Sequence, residues 1–188
     1  LRTRTNAVGL TLRGGGGVLA LQVRAGADLC TNLATAALQA MRSPKLPDRV
    51  GQKVLDGLTV EVEVLSELQD VDRPALTQAL VPGLVGLAYC RGQSPSAAAA
   101  AGGEGVAWLL PSAAYVLGLD AEQMRRAAMV QFRLTQENAS LPPRLAVFAA
   151  RHYVGFPDGV VVELYRGKDL AARAKADDQA ISAGAEMI

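Results

Sequence analysis

A chain of 188 residues, half of them hydrophobic and a fifth charged, is long enough to bury one substantial core. Nineteen basic residues against eighteen acidic ones, with no run of five like charges, exclude a polybasic surface for nucleic acid or membrane. Three Phe, four Tyr and one Trp are too few for base-stacking platforms, and no apolar stretch reaches the roughly 18–20 residues of a membrane span.

Val8, Leu10 and Leu12 alternate with Gly9 and Thr11 at strand spacing. Four glycines, Gly14 to Gly17, then lead into a mostly apolar stretch from Val18 to Val23, so a hairpin or wide bulged turn is expected. From Asp28, a good N-cap, the period changes. Leu29, Leu33, Ala36, Ala37, Ala40 and Met41 share one face of a helix, which Pro44 and Pro47 end in an irregular loop. Leu58 to Leu65, LTVEVEVL, is the clearest strand: Leu58, Val60, Val62 and Val64 face one way, Thr59, Glu61 and Glu63 the other. One wet face is implied, and antiparallel pairing with it.

A short helix is expected after Asp72, with Pro74 in its first turn and Leu76 and Leu80 packed inward. Gly83 to Cys90 reads as a buried strand. RGQSPSAAAAAGGEG reads as a mobile low-complexity loop, and VAWLLP as a strand that Pro111 ends. Asp120 with Gln123 forms a capping box for a helix through Met124, Ala127 and Ala128. Leu145 to Phe156 and Val160 to Tyr165 flank Pro157-Asp158-Gly159 as a hairpin. Half-wet strands mixed irregularly with helices give an α+β class, a mainly antiparallel sheet flanked by helices. Residues 1–167 form the domain; 168–188 read as a C-terminal helix, a linker or the start of a further domain. The chain begins at Leu1 and is read as part of a longer polypeptide.

The chemistry is less defined. Cys30 and Cys90 lie in apolar segments and are expected reduced and buried, in a cytoplasmic setting without a signal peptide. The glycine run lacks the helix that a Walker loop or a dinucleotide fingerprint needs after it. It is a turn, or an anion nest of backbone amides completed by Arg13. His152 is the sole histidine and has no acidic residue at i±3 or i±4, so it is expected to pack on its strand; no Gly-x-Ser-x-Gly elbow occurs. Glu61 and Glu63 sit about 7 Å apart on one strand face. They are an acid–base pair or, more simply, a solvated face. Asp177 and Asp178 are adjacent and point different ways, so no metal site is expected there. The sequence identifies no cofactor.

The order of LRGGGG (Leu12 to Gly17), a helix containing Asn32, LTVEVEVLSELQDV, PGLVGLAYCRG and VAWLLP resembles the AMMECR domain family, named after a chromosomal region linked to Alport syndrome, mental retardation, midface hypoplasia and elliptocytosis. The resemblance covers about Leu10 to Tyr165. It implies an α+β fold in two unequal lobes with a cleft, no established activity, and partners of the Memo-like and radical-SAM kinds. The family pattern reads Leu-Arg-Gly-Cys-Ile-Gly. Leu12, Arg13, Gly14 and Gly17 match, whereas Gly15 and Gly16 stand in place of the cysteine and isoleucine. Thiol chemistry at that position is therefore lost. Arg13, Gly14, Gly15, Gly16, Gly17 and Asn32 are the candidate ligand-binding residues; Asn32 either lines the cleft or ties its helix to a loop. The expectation is a non-catalytic binding or scaffolding domain of a larger protein, taking a protein partner or a neighbouring domain. The alternative is an enzyme acting on a small anionic metabolite held by Arg13 and the Gly14–Gly17 amides.

Overall fold

The computed structural model describes residues 7–15, 17–47, 51–135 and 143–163. Strands β1 (Val8–Gly14) and β2 (Gly17–Arg24) form the expected hairpin, followed by helix α1 (Leu29–Ala40), a turn of helix α2 (Gln52–Leu55), strand β3 (Thr59–Leu65) and a short β4 (Gln69–Val71). Helix α3 (Arg73–Ala79), strand β5 (Val85–Arg91), helix α4 (Pro95–Ala100), strand β6 (Ala107–Leu109), helices α5 (Pro111–Val116) and α6 (Ala121–Thr135), and strands β7 (Pro143–Gly155) and β8 (Val161–Glu163) complete the described chain. Every pairing is antiparallel, in the order β2-β1-β3-β7-β5-β6, with β4 and β8 also on β7. β7 is long enough to pair with β3 through residues 150–155 and with β5 through 143–149, and the sheet coils nearly into a barrel. The fold is α+β.

Local chemistry accounts for most element ends. Asp28 Oδ1 accepts from the Thr31 amide at 3.0 Å and caps α1. Asp120 and Gln123 satisfy each other's backbone amides at 2.7 and 2.9 Å, a reciprocal capping box opening α6. In the β7–β8 hairpin the Phe156 amide donates to the Val160 carbonyl at 2.9 Å while Gly159 takes φ +82°, a conformation that favours glycine. Three apolar clusters divide the two faces. α1 covers Leu10, Leu12, Val60 and Val62; α3, α5 and α6 cover Leu87, Leu109, Leu145 and Val147; Trp108, Phe148, Leu110, Leu65 and Ala88 fill the inner face.

Several expectations are corrected. The alanine-rich loop contains α4: Ser94 Oγ accepts from the Ala97 amide, Pro95 opens the helix, and Ala98 and Ala99 are buried. Pro111 does not merely end a strand; it sits in the first turn of α5, where its missing N–H costs nothing. The buried face of α1 centres on Asn32, Ala36 and Ala40, leaving Leu29, Cys30 and Met41 exposed, so only Cys90 of the two free thiols is buried. The carboxylate face of β3 is not wet: Glu63 is 2% exposed. Tyr165 and residues 168–188 lie outside the described residues.

Gly86 lies on β5 where it crosses the ring of Phe148, and a Cβ there would sit 2.8 Å from the Leu109 carbonyl oxygen. Gly86→Ala is expected to cost about 2–3 kcal/mol, because the ring and a strand backbone must both shift. Urea unfolding measures it; a cost below about 0.5 kcal/mol would mean that this crossing is loose.

Candidate functional site

The inner face of β1, β3 and β7 changes character along its length. Register places Gly9 opposite Glu63 and Thr11 opposite Glu61, and places Glu63 opposite His152 on the other side. Since directly paired residues share a face, Arg13, Glu61, Glu63 and His152 project together, beyond the apolar cluster of Leu65, Leu110 and Trp108. The result is a polar row on a largely covered surface.

Arg13 Nε donates to Glu61 Oε1 at 2.6 Å, with the two side chains 21% and 12% exposed. The other oxygen, Glu61 Oε2, lies 3.8 Å from His152 Nε2. Both of these atoms are buried and neither has a hydrogen-bond partner among the described residues. Burial holds His152 below the usual histidine range, with Glu61 pulling it up and Arg13 pushing it further down.

Glu63 is placed differently. Its two oxygens accept from a single residue, Ser112, whose amide lies at 3.1 Å and whose hydroxyl lies at 2.7 Å. The N-cap position of α5 is Leu110, which supplies no capping side chain, so the carboxylate of β3 reaches across and takes the amide that a cap would take. Removal from water pushes the Glu63 carboxyl up to about 7; the Ser112 bonds act against that rise, Glu61 reinforces it and Arg13 opposes it. Leu110 itself rests on Gly9, where a Cβ would come within 2.6 Å of its Cδ1. The Leu110–Ser112 segment therefore straps across the Gly9–Glu63 pair.

Of the residues singled out from the sequence, Arg13 belongs to this row. Gly14 pairs with Gly17 across the hairpin, and a bulge at Leu12/Arg13 sets the turn. Gly15 takes φ +58°; a Cβ on it or on Gly17 would meet nothing within 4 Å. Gly16 lies outside the described residues. Asn32 is buried in α1, and its Nδ2 donates to the Ala27 carbonyl at 3.0 Å, tying the helix to the loop before it. Sequence reasoning missed Ser112 and the joining of His152 to Glu61, which is a diagonal contact across strands and leaves no trace at helical spacing.

Among the described residues no three His, Cys, Asp or Glu side chains gather into a metal-binding group, and no helix is long and apolar enough to cross a membrane. No family model matches the sequence, and no curated protein matches it significantly. Among solved structures the chain is similar to the crystal structure of an uncharacterized protein, PH0010, from Pyrococcus horikoshii. The TM-score is 0.63 at 18% identity, over 87% of this chain and 80% of that one. At that identity the likeness is one of fold.

Proposed function

We propose that this chain is an AMMECR-like domain of a larger protein that acts as a non-catalytic binding module, engaging its ligand at the Arg13 end of the polar row. The observation that carries the reading is the facing pair Glu61 Oε2 and His152 Nε2, buried 3.8 Å apart without hydrogen-bond partners among the described residues. Buried polar atoms are nearly always paired, so a facing pair without partners calls for an explanation, and a group supplied by a ligand is the one proposed. Arg13 borders this pair, is partly exposed, and stands beside open backbone at Gly15.

The non-catalytic part rests on what the row lacks. Gly15 stands where the resembled family carries cysteine, and the Cys90 thiol is buried and pushed up by that burial. Both oxygens of Glu63 are taken by Ser112 and Glu61 Oε1 is taken by Arg13, which leaves Glu61 Oε2, buried against His152, as the open carboxylate oxygen of the row. An anion approaching Arg13 must compete with Glu61, which weighs against the alternative of an enzyme for small anionic metabolites.

The lone histidine makes a direct test. The imidazole resonances of His152 are followed while inorganic phosphate, citrate or a neutral polyol is added to millimolar concentration, for wild type and Arg13→Ala. The expected result is a saturable shift with at least one of the three, weakened at least about tenfold in Arg13→Ala, equivalent to about 1.4 kcal/mol. The added compound should remain unchanged on long incubation. Product signals, or a shift indifferent to Arg13, would overturn the reading.

A further inference from the structure

The Glu63–Ser112 contact is a carboxylate sealed under a strap, with no cation bonded to it among the described residues. The charged and titratable groups facing Glu63 come from three neighbouring positions. β3 contributes Glu61, a like charge; β1 contributes Arg13, whose Nε is bonded to Glu61; β7 contributes His152, directly opposite. α5 contributes no charged residue, only the Ser112 amide and hydroxyl. A charge buried with neutral donors alone is costly, whereas a carboxylic acid in the same place is not.

The bonding pattern accepts either form. In the ionised state both Ser112 donors point at Glu63. When Glu63 Oε2 gains a proton it donates to Ser112 Oγ, whose hydroxyl turns away, and the Ser112 amide still donates to Oε1. Protonation thus removes the buried charge and keeps both contacts. Opening the strap returns Glu63 to water, where ionisation is cheap again.

We propose that Glu63 is a proton-operated latch on the Leu110–Ser112 strap: the neutral acid holds the start of α5 down on the sheet, and the ionised form lets it lift more often. Lifting the strap withdraws Leu110 from its seat on Gly9 and uncovers the inner face beside Glu61 and His152. Access to that face becomes easier as pH rises toward neutrality and is restricted in acid.

The test is amide hydrogen exchange of Ser112 and Ala114 in the intact chain, corrected for the intrinsic rate, from mildly acidic to mildly alkaline pH. The Ser112 amide bonds Glu63 and the Ala114 amide bonds the Leu110 carbonyl at 3.3 Å, so both report the strap. In wild type the opening constant should rise about tenfold per pH unit between the ordinary carboxylate range and neutrality, then level off. Glu63→Gln, which keeps an acceptor for the amide and a donor for Oγ, should hold the acidic, protected value at every pH. His152→Gln should keep the rise with pH and lose only the opposed contribution of the histidine itself. A flat wild-type profile, or a slope surviving in Glu63→Gln, would overturn the latch. So would exchange of these amides only in step with the Leu87 amide of the core strand, which would make the opening global.

Discussion

Glu63→Gln is expected to gain stability over wild type as pH rises, by about 2.5 kcal/mol between pH 5 and 8. The sign follows from the direction of the shift. The folded Glu63 carboxyl is raised from 4.5 to about 7, so the folded state holds a proton that the unfolded chain has released. That contribution is complete below the unfolded value and is lost as pH climbs to the folded one. Glutamine neither gains nor loses it. His152 works in the opposite sense over a neighbouring window. Its folded value is lowered, so stability is present above the ordinary histidine range and falls as pH drops through it. Wild type alone therefore shows two opposed slopes, and the difference between wild type and Glu63→Gln isolates one of them. Urea unfolding of both proteins at several pH values measures that difference. A constant offset across the range would mean that Glu63 ionises freely in the folded state.

The hairpins, caps and apolar strands were legible because their causes are local. Glycine at positive φ, proline in a first turn and a reciprocal Asp-Gln cap act within a few residues, so the β1–β2 and β7–β8 turns and the starts of α1 and α6 lie where the sequence places them. α4 was hidden by composition: its alanines resemble a low-complexity tract, yet Ser94 and Pro95 already carried a helix-start signal. The β3 error has a different origin. Alternation separates two faces but does not say what covers each. Here the valine face meets α1, and the glutamate face meets β1, β7 and the strap before α5.

The candidate site was legible only in part for the same reason. Arg13 stood out beside the glycines, but its partner Glu61 and the distant His152 come together through strand register alone. Ser112 carries no chemical signature in sequence, since its role depends on a carboxylate from β3 standing where the N-cap of α5 has nothing to offer. Polar residues on a covered face thus look solvated until their cross-strand neighbours are known.

Glu61→Leu is expected to cost about 2–3 kcal/mol, because it leaves Arg13 without its facing carboxylate in a half-dry place. The range stays at the low end of what broken buried pairs cost, since Arg13 keeps 21% of its side chain in water and can turn outward. Arg13→Met alone should cost a similar amount by stranding Glu61. The double variant should cost about 2 kcal/mol less than the sum of the two, since each apolar replacement then meets the other and no charge is left unpaired. The three variants and wild type, unfolded in urea at neutral pH, close the cycle. If the costs simply add, the contact between Arg13 and Glu61 carries no energy of its own. The guanidinium would then be free to take an external anion at little cost, and the small-anion reading would regain the ground that this ion pair now denies it.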